Sequence, residues 1–186
     1  MTRSIRIEAP GWLDDVADPS LGPDAPDEKR MAWLLDVLDR QVDEKTGGPF
    51  AAAVFSGLTG EVLGVGVNRV EPTSTCVAHA EVLALALAGQ AVGSFSLESH
   101  GAVLLASTEP CAMCLGAVGW SGIARLVCAA GDQDARAIGF DEGDKPADWQ
   151  SALARRGVIV ATGVLRARAA AAMERYRDTG GLIYNG

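Results

Sequence analysis

The chain has 186 residues, enough for one domain of ordinary size, and its composition of 48% hydrophobic and 22% charged residues is that of a globular protein with a buried core. Its 24 acidic and 16 basic side chains give a formal net charge of −8. Because this charge repels phosphates, nucleic acids and anionic membrane surfaces are poor candidates as partners.

The first segment, residues 1–26, is rich in proline, aspartate and glycine and holds only isolated apolar residues such as Trp12 and Leu21. This composition predicts an irregular N-terminal arm that precedes a domain of residues 27–186. The segment lacks the basic start and apolar run of a secretory signal. No apolar stretch reaches the roughly 20 residues that span a bilayer. We therefore expect a cytoplasmic protein.

From residue 27 onward, helical and strand-like hydrophobic patterns alternate. Apolar spacing predicts a helix over 27–46 that ends at Gly47-Gly48-Pro49, and two Val-rich runs predict an antiparallel hairpin over 51–55 and 61–68. The later elements are predicted in this order: helix 78–91, strand 102–106, helix from Pro110 to about 122, strand 123–129, helix 147–156, strand 157–162 and helix 164–176. This alternation predicts an α/β fold, a three-layer α/β/α sandwich on a mixed sheet of about five strands.

Three potential metal ligands lie at the starts of two predicted helices. His79 is near the start of one, and Cys111 and Cys114 are near the start of another. Cysteines three residues apart share one helical face, and the unpaired N–H groups of a helix start favour thiolates. Sulfur with imidazole suits zinc, and three protein ligands leave the fourth tetrahedral position open. The sequence therefore predicts one Zn²⁺ per chain with a bound water or hydroxide.

Glu81, two residues after His79, supplies a carboxylate beside this predicted site. Zinc lowers the pKa of a bound water from 15.7 toward about 7, and a nearby carboxylate can then carry a proton to a leaving amine. Two alternatives stay open. A C-x-x-C pair also occurs in thioredoxin-type dithiols. Cys76 is a candidate fourth ligand that would close the site, although we expect it to be packed instead.

His79-Ala80-Glu81 and Pro110-Cys111-Ala112-Met113-Cys114 together form the H-x-E…P-C-x-x-C signature of zinc nucleobase deaminases. From about residue 47 to residue 184, the chain resembles the cytidine-deaminase-like superfamily, and within it the guanine deaminase branch of small bacterial enzymes. The stretches that carry this resemblance are Gly47-Gly48-Pro49-Phe50, Asn68-Arg69, Ala78-His79-Ala80-Glu81, Ser107-Thr108-Glu109-Pro110-Cys111 and Gly139-Phe140-Asp141-Glu142-Gly143. The resemblance implies a cytidine-deaminase-like fold and a zinc-dependent deaminase.

The resemblance also implies residues that contact a substrate. In similar deaminases, an Asn at the position of Asn68 hydrogen-bonds the ring edge, since an amide offers both donor and acceptor; the alternative is a turn residue that ends the hairpin. Phe50 and Trp120 are expected to be flat walls for a heteroaromatic ring, or else ordinary core residues. In similar enzymes the C-terminal tail can close over a pocket, sometimes a neighbour's, which makes Tyr184 a further candidate.

Asp141 and Glu142 set the chain apart from tRNA adenosine deaminases, which it resembles less because they usually carry a Lys-Thr-Gly-Ala-like stretch in this region. A second carboxylate in the pocket can bind the N–H or amino edge of guanine, or relay protons. We therefore expect Asp141 to bind substrate and Glu142 to take part in catalysis. The alternative is a solvated acidic loop.

Together these expectations point to hydrolytic deamination of guanine to xanthine and ammonia. Ammeline, guanosine, cytosine and cytidine stay open as substrates, and tRNA adenosine is disfavoured by the charge of the chain. From other classes, a zinc-stabilised module could bind a purine without turnover, and a degenerate subunit would tend to lose Glu81. Similar deaminases pair through their helical layers, so the resemblance implies a homodimer with a small amino-heterocycle as its ligand.

Overall fold

The computed structural model describes residues 4–185 of the chain. Within this range the predicted helices and strands occur with ends that differ by a few residues. The elements in chain order are a 3-10 helix Gly11–Asp15, α1 Asp27–Asp43, β1 Ala51–Phe55, β2 Val62–Val67, α2 Val70–Thr73, α3 Ala80–Val92, a 3-10 helix Glu98–His100, β3 Val103–Thr108, α4 Ala112–Trp120, β4 Arg125–Ala130, α5 Asp132–Ala137, α6 Trp149–Ala154, β5 Ile159–Ala161 and α7 Arg166–Asp178.

The strands form one mixed five-stranded sheet in the order β2-β1-β3-β4-β5. β1 pairs antiparallel with β2 and β3, whereas β3, β4 and β5 run parallel. Ala51 lies opposite Val67, and Ala52 lies opposite Ala106. The start of β1 and the ends of β2, β3 and β4 therefore meet at one edge of the sheet, the edge where ligands bind in open α/β sheets.

Helices cover both faces of this sheet. On one face, α1 and α7 bury residues such as Leu38 and Met173 against the strands. On the other face, α3, α4 and α6 bury residues such as Ala84, Val118 and Leu153. Successive residues of a strand point to opposite faces, so the central strands contribute side chains to both cores. This arrangement confirms the predicted three-layer α/β/α sandwich.

Two glycines of β2 allow α3 to pack closely on the sheet. A Cβ atom at Gly66 would lie 2.2 Å from the carbonyl oxygen of Ala80, and one at Gly64 would lie 2.6 Å from that of Ala84. Side chains at these positions would push the helix away, because such separations are far below van der Waals contact. The glycines thus fix the start of α3, where His79 lies, against the sheet.

The N-terminal arm runs along α1. Arg30 Nη2 donates a hydrogen bond to the carbonyl oxygen of Gly22 at 3.1 Å, and Trp33 Nε1 donates one to that of Ala17 at 3.1 Å. Apart from its short 3-10 helix, the described part of the arm, 4–26, has no regular secondary structure. The division between arm and deaminase domain stays a prediction.

Two short helices, α2 and α5, have no counterpart in the sequence-based prediction. Helices of four and six residues are too short to show a hydrophobic period. α5 begins where the Asp134 carboxylate accepts the backbone N–H of Gly131 at 2.8 Å, a local cap rather than a pattern. Within residues 4–185, none of the helices has the length and apolarity needed to cross a membrane.

Candidate active site

The three predicted metal ligands lie at the starts of α3 and α4. His79 is the N-cap residue of α3, Cys111 is the N-cap residue of α4, and Cys114 lies in the first turn of α4. Their ligand atoms all lie within 4.8 Å of one another, and Cys111 Sγ is 3.5 Å from His79 Nδ1. The unpaired N–H groups of both helix starts favour negatively charged sulfur at this point.

This donor set fits a zinc ion. Zinc prefers four-coordinate sites of thiolate and imidazole, and a catalytic site has three protein ligands. Cys76 borders the same cavity but is exposed, rather than packed as expected. Among the described residues, it does not belong to the group of three ligands. Three ligand atoms therefore lie together in the described part of the chain, the number of protein ligands in a catalytic zinc site.

The two cysteines differ in acidity. The pKa of the Cys111 thiol is lowered to about 4, because it accepts a hydrogen bond from the Cys114 thiol and interacts with His79. The pKa of the Cys114 thiol is raised, because it donates that hydrogen bond and is buried. Thiolate is the form that binds a metal. An ion held by both sulfurs would therefore displace the proton of the Cys114 thiol on binding.

Two carboxylic acids, Glu81 and Glu142, are buried beside these ligands, with 8% and 6% of their surfaces exposed. Burial raises the pKa of Glu81, and the negative charge of Cys111 raises it further. Burial and the same charge raise the pKa of Glu142 to about 8. Acids with a pKa near neutrality both accept and donate protons readily. The surroundings of Glu142 are thus not those of a solvated acidic loop.

Residues 139–145, which we call the acidic loop, are joined to the start of α4. The backbone N–H of Ala112 donates to the carbonyl oxygen of Glu142 at 2.9 Å. Lys145 Nζ donates to the carbonyl oxygen of Pro110 at 3.1 Å and forms a 2.6 Å ion pair with Asp132. The Lys145 side chain is itself buried. The backbone that carries Glu142 is therefore attached on both sides of Cys111.

A cavity of about 350 Å³ connects the ligand group with both acids. This volume is within the range of small-molecule sites. Phe50, Phe140 and Tyr184 line it, with the Phe140 ring centre 5.0 Å from that of Phe50 and 5.2 Å from that of Tyr184. Both pairs meet edge to face, at interplanar angles of 73°. These rings form an apolar wall opposite the polar groups.

Asn68 follows β2 and lines the same cavity. The side-chain Oδ1 of Asn68 accepts the backbone N–H of Val70 at 3.1 Å. The backbone N–H of Asn68 donates to the carbonyl oxygen of Phe50 at 3.0 Å. The residue therefore ends the hairpin and borders the pocket at once, so the two interpretations of Asn68 are compatible. With Oδ1 engaged by Val70, the amide Nδ2 is the group that can donate to a ligand.

The C-terminal tail, residues 179–185, borders the cavity of its own chain with Tyr184 and Asn185. Asn185 Oδ1 accepts the backbone N–H of Asp141 at 2.8 Å, and Asn185 Nδ2 donates to the carbonyl oxygen of Gly139 at 3.0 Å. The Tyr184 hydroxyl is buried, and no hydrogen-bond partner for it occurs among residues 4–185. A Cβ atom at Gly48 would lie 2.5 Å from that hydroxyl. A side chain at position 48 would therefore require the Tyr184 side chain to shift.

Trp120, predicted to be a wall of the pocket, lies elsewhere. It is the last residue of α4, 80% exposed, with the Arg156 guanidinium 5.3 Å above its ring, and it does not line the cavity. A helix rises about 1.5 Å per residue, so Trp120 lies roughly 12 Å along the axis from the start of α4. The expectation for Trp120 is wrong.

Asp141 lies at the rim of the cavity. Its carboxylate is 63% exposed, is 3.3 Å from Arg136 Nη1 and accepts the backbone N–H of Gly143 at 2.9 Å. These contacts hold the acidic loop in shape. Neighbouring acids of one loop therefore face different surroundings, and substrate binding by Asp141 stays a prediction.

Several lining residues are not among the predicted site residues, and Thr108, Glu109 and Phe140 are the most informative of them. Thr108 and Glu109 stand where β3 ends, and the Thr108 hydroxyl is buried without a partner in the described part of the chain. Polar residues at the carboxyl end of a buried parallel strand are a recognisable signal for a site. Phe140 could have been found as the aromatic residue of the Gly-Phe-Asp-Glu-Gly stretch.

Comparison with known proteins is consistent with this geometry. The family model of the cytidine and deoxycytidylate deaminase zinc-binding region matches residues 24–130. A guanine deaminase from Bacillus subtilis is 36% identical over 113 residues, which cover 58% of this chain and 70% of the relative.

Two solved structures resemble the chain along most of its length. One is a guanine deaminase from Nitrosomonas europaea, which is 40% identical and superposes with a TM-score of 0.89 over 96% of this chain and 98% of that one. The other is the protein NE0047 in complex with 2,6-diaminopurine, which is 41% identical, with a TM-score of 0.89 over 100% of this chain and 98% of that one. The similarity therefore extends from the ligand group to the arm and the C-terminal tail.

Proposed function

Because the chain belongs to the cytidine and deoxycytidylate deaminase family, we propose that it catalyses the hydrolytic deamination of guanine to xanthine and ammonia. The observation that carries this proposal is the cavity that brings a His-Cys-Cys group together with two buried carboxylic acids. Guanine as the substrate is supported by the similar guanine deaminases and by the complex of a similar protein with 2,6-diaminopurine.

The proposal includes one zinc ion held by His79, Cys111 and Cys114. When bound, this ion supplies the Lewis acidity that makes hydroxide available at neutral pH. The chain contributes the helix starts, whose N–H groups stabilise the two thiolates. It also contributes burial of one ligand, since Cys114 is 0% exposed, whereas His79 and Cys111 are half-buried and border the cavity.

Glu81 is the proposed proton carrier. It accepts a proton as the oxygen of water adds to the amino-bearing ring carbon, and it delivers that proton to the amino nitrogen as the carbon–nitrogen bond breaks. One water is consumed and one ammonia leaves. The raised pKa of Glu81 suits a group that must hold and then release a proton. Glu142, whose pKa is also raised, is the proposed second acid that serves the ring nitrogens.

The remaining cavity residues are the proposed substrate contacts. The aromatic faces of Phe50 and Tyr184 border a planar ring, and Asn68 Nδ2 donates a hydrogen bond to its edge. Asp141, at the rim, binds the outer edge of the ring. Because the tail already covers the cavity with Tyr184, a free base fits this enclosure better than a nucleoside with its bulky ribose.

Ammonia release by the purified zinc-loaded protein tests this function. We expect turnover of guanine at a kcat/KM at least about tenfold above that of guanosine, ammeline, adenine, cytosine and cytidine, because the enclosed cavity discriminates by shape. Adenine serves as the matched control, since it is a free purine that carries its amino group on a different ring carbon. Release from cytidine but not from guanine would assign a different substrate, and release from none of the six would refute the proposed function.

We also propose that the protein is a homodimer that pairs through α3 and α4. A groove between these helices is bordered by Phe95 and Trp120, which are 97% and 80% exposed. Two large aromatic side chains on one apolar groove mark an interaction surface, and a second copy would cover both at once. This groove is apolar, whereas the surface of α7 is charged: Arg168 and Arg175 form ion pairs with Asp39 there.

Phe95→Asp is expected to convert a dimer to a monomer, because it would bury a charge in the apolar interface. Sedimentation velocity measures the change. Leu58→Asp is the matched control, since Leu58 is also exposed, at 65%, but lies in the β1–β2 turn, and its substitution leaves the dimer intact. A monomeric parent protein, or a Phe95→Asp variant that stays dimeric, would exclude this interface.

A further inference from the structure

A fully buried glutamine on α1, Gln41, contacts the backbone on which the pocket is built. Its surface is 0% exposed. Its Nε2 donates hydrogen bonds to the carbonyl oxygens of Asn68 at 2.9 Å and Gly48 at 3.3 Å, and its Oε1 accepts the hydroxyl of Thr46 at 2.6 Å. Both donors and the acceptor of the amide are therefore satisfied, as a buried polar group requires.

The two carbonyl groups that Gln41 binds belong to one hydrogen-bonded unit. The backbone N–H of Phe50 donates to the carbonyl oxygen of Gly48 at 2.8 Å, and the N–H of Asn68 donates to the carbonyl oxygen of Phe50 at 3.0 Å. Phe50 and Asn68 line the cavity, whereas Gln41 does not. Gln41 thus supports, from behind, the backbone of two proposed substrate contacts.

The N-terminal arm adds a further link to this network. Trp12 Nε1 donates to the Thr46 hydroxyl at 3.1 Å, and that hydroxyl donates in turn to Gln41. The guanidinium of Arg40 lies 4.9 Å above the Trp12 ring. Because the indole N–H can only donate, it directs the hydroxyl proton toward Gln41 Oε1. One continuous chain of hydrogen bonds therefore runs from the arm to Asn68.

Arg69 ties the arm to the same place by a second route. Its Nε donates to the carbonyl oxygen of Glu8 at 3.0 Å, and its Nη1 donates to the carbonyl oxygen of Thr46. The residue directly after Asn68 is thereby held by the arm and by the loop after α1. Two sets of contacts, which share Thr46, thus converge on the end of β2.

We propose that Gln41 is a positioning residue for the substrate pocket and that the arm, through Trp12 and Thr46, is part of the scaffold that fixes Asn68 and Phe50. This proposal rests on the proposed function for its kinetic consequence, but its structural content concerns the backbone alone. Asn68 and Phe50 are proposed to contact the ring rather than the reacting groups. Their displacement therefore removes binding that the ground state and the transition state share, which raises KM with little change in kcat.

Gln41→Met tests the proposal, because methionine matches the length of glutamine but donates no hydrogen bond. We expect KM for guanine to rise about tenfold or more with little change in kcat and with zinc content unchanged. Trp12→Phe keeps a ring beneath Arg40 and removes one hydrogen bond, for an expected rise of about fivefold or less. Leu38→Val, a buried change on the same helix, is the control for destabilisation alone, and Gln150→Met on α6 is the same chemical change at an exposed site away from the arm and the proposed interface.

A double-substitution cycle separates a chain of contacts from two unrelated effects. If Trp12 acts through Gln41, then Trp12→Phe has little further effect in the Gln41→Met background. Additive effects on KM would contradict the chain. An equal rise of KM in Leu38→Val, at a matched loss of thermal stability, would show that Gln41 is merely structural.

Hydrogen–deuterium exchange measures how firmly the backbone of Phe50 and Asn68 is held, and it needs no substrate. We expect faster exchange of the amides of Phe50 and Asn68 in Gln41→Met and in Trp12→Phe, and unchanged exchange in Gln150→Met. This readout separates the two proposals: a parent protein that does not deaminate guanine refutes the proposed function, whereas unaltered exchange in both network variants refutes the positioning role.

Discussion

Replacement of Glu81 by glutamine is expected to lower ammonia release from guanine by about 10²–10⁴-fold, the usual contribution of a general acid–base group. Glutamine has nearly the same shape but cannot carry a proton between water and the leaving amine. Glu81 is buried at the start of α3, and it is not one of the three residues of the ligand group. The variant is therefore expected to keep its zinc, which metal analysis measures alongside the rate.

The control for this experiment is Glu98→Gln, the same substitution on an exposed residue of a 3-10 helix away from the cavity. It is expected to keep both rate and zinc. A Glu81→Gln variant that retains its metal and releases ammonia at the parent rate would rule out the proposed mechanism. Loss of zinc together with activity would instead place Glu81 among the groups that hold the ion.

Replacement of Cys114 by alanine is expected to abolish zinc binding and, with it, deamination. Without the ion, the pKa of water stays at about 15.7 instead of falling toward about 7, so we expect the rate to drop by at least about 10³-fold. Cys114 is 0% exposed, and its removal leaves only two ligands. Zinc content and ammonia release are measured together, and a chelator is expected to bring the parent protein to the same state until zinc is restored.

Cys76→Ala is the matched control, because Cys76 is a cysteine beside the same cavity but outside the ligand group. We expect it to keep one zinc per chain and most of the activity. A Cys76→Ala variant that loses its zinc would reveal a fourth protein ligand and thus a closed, structural site. That outcome would favour a purine-binding module over an enzyme.

The ligand group could be predicted from the sequence because its information is local. His79 to Glu81 and Cys111 to Cys114 each span a single helical turn, and helix starts tend to face the carboxyl ends of strands. The fold class could also be predicted from the sequence, since alternating strand and helix periods leave few ways to bury both faces of a sheet. The prediction for Trp120 was wrong because Trp120 lies at the far end of α4, although it is close to Cys114 in sequence.

Other features depend on contacts between distant residues. Asp141 and Glu142 are neighbours with the same charge, yet Asp141 is exposed and Glu142 is buried. Arg136 binds the Asp141 carboxylate, and Asn185 binds the backbone N–H of Asp141. Gln41 gave no sequence signal, because it is one of many polar residues on an amphipathic helix and acquires its role only from Asn68, 27 positions later.

The attachment of the acidic loop to the start of α4 has a thermodynamic consequence. The N–H of Ala112 and the ammonium of Lys145 bind backbone carbonyls on either side of Cys111, so order at the metal ligands and order at Glu142 are shared. Equilibrium coupling between two binding sites is reciprocal. If zinc at the ligand group raises the affinity of the proposed enzyme for a purine, a bound purine raises its affinity for zinc by the same factor.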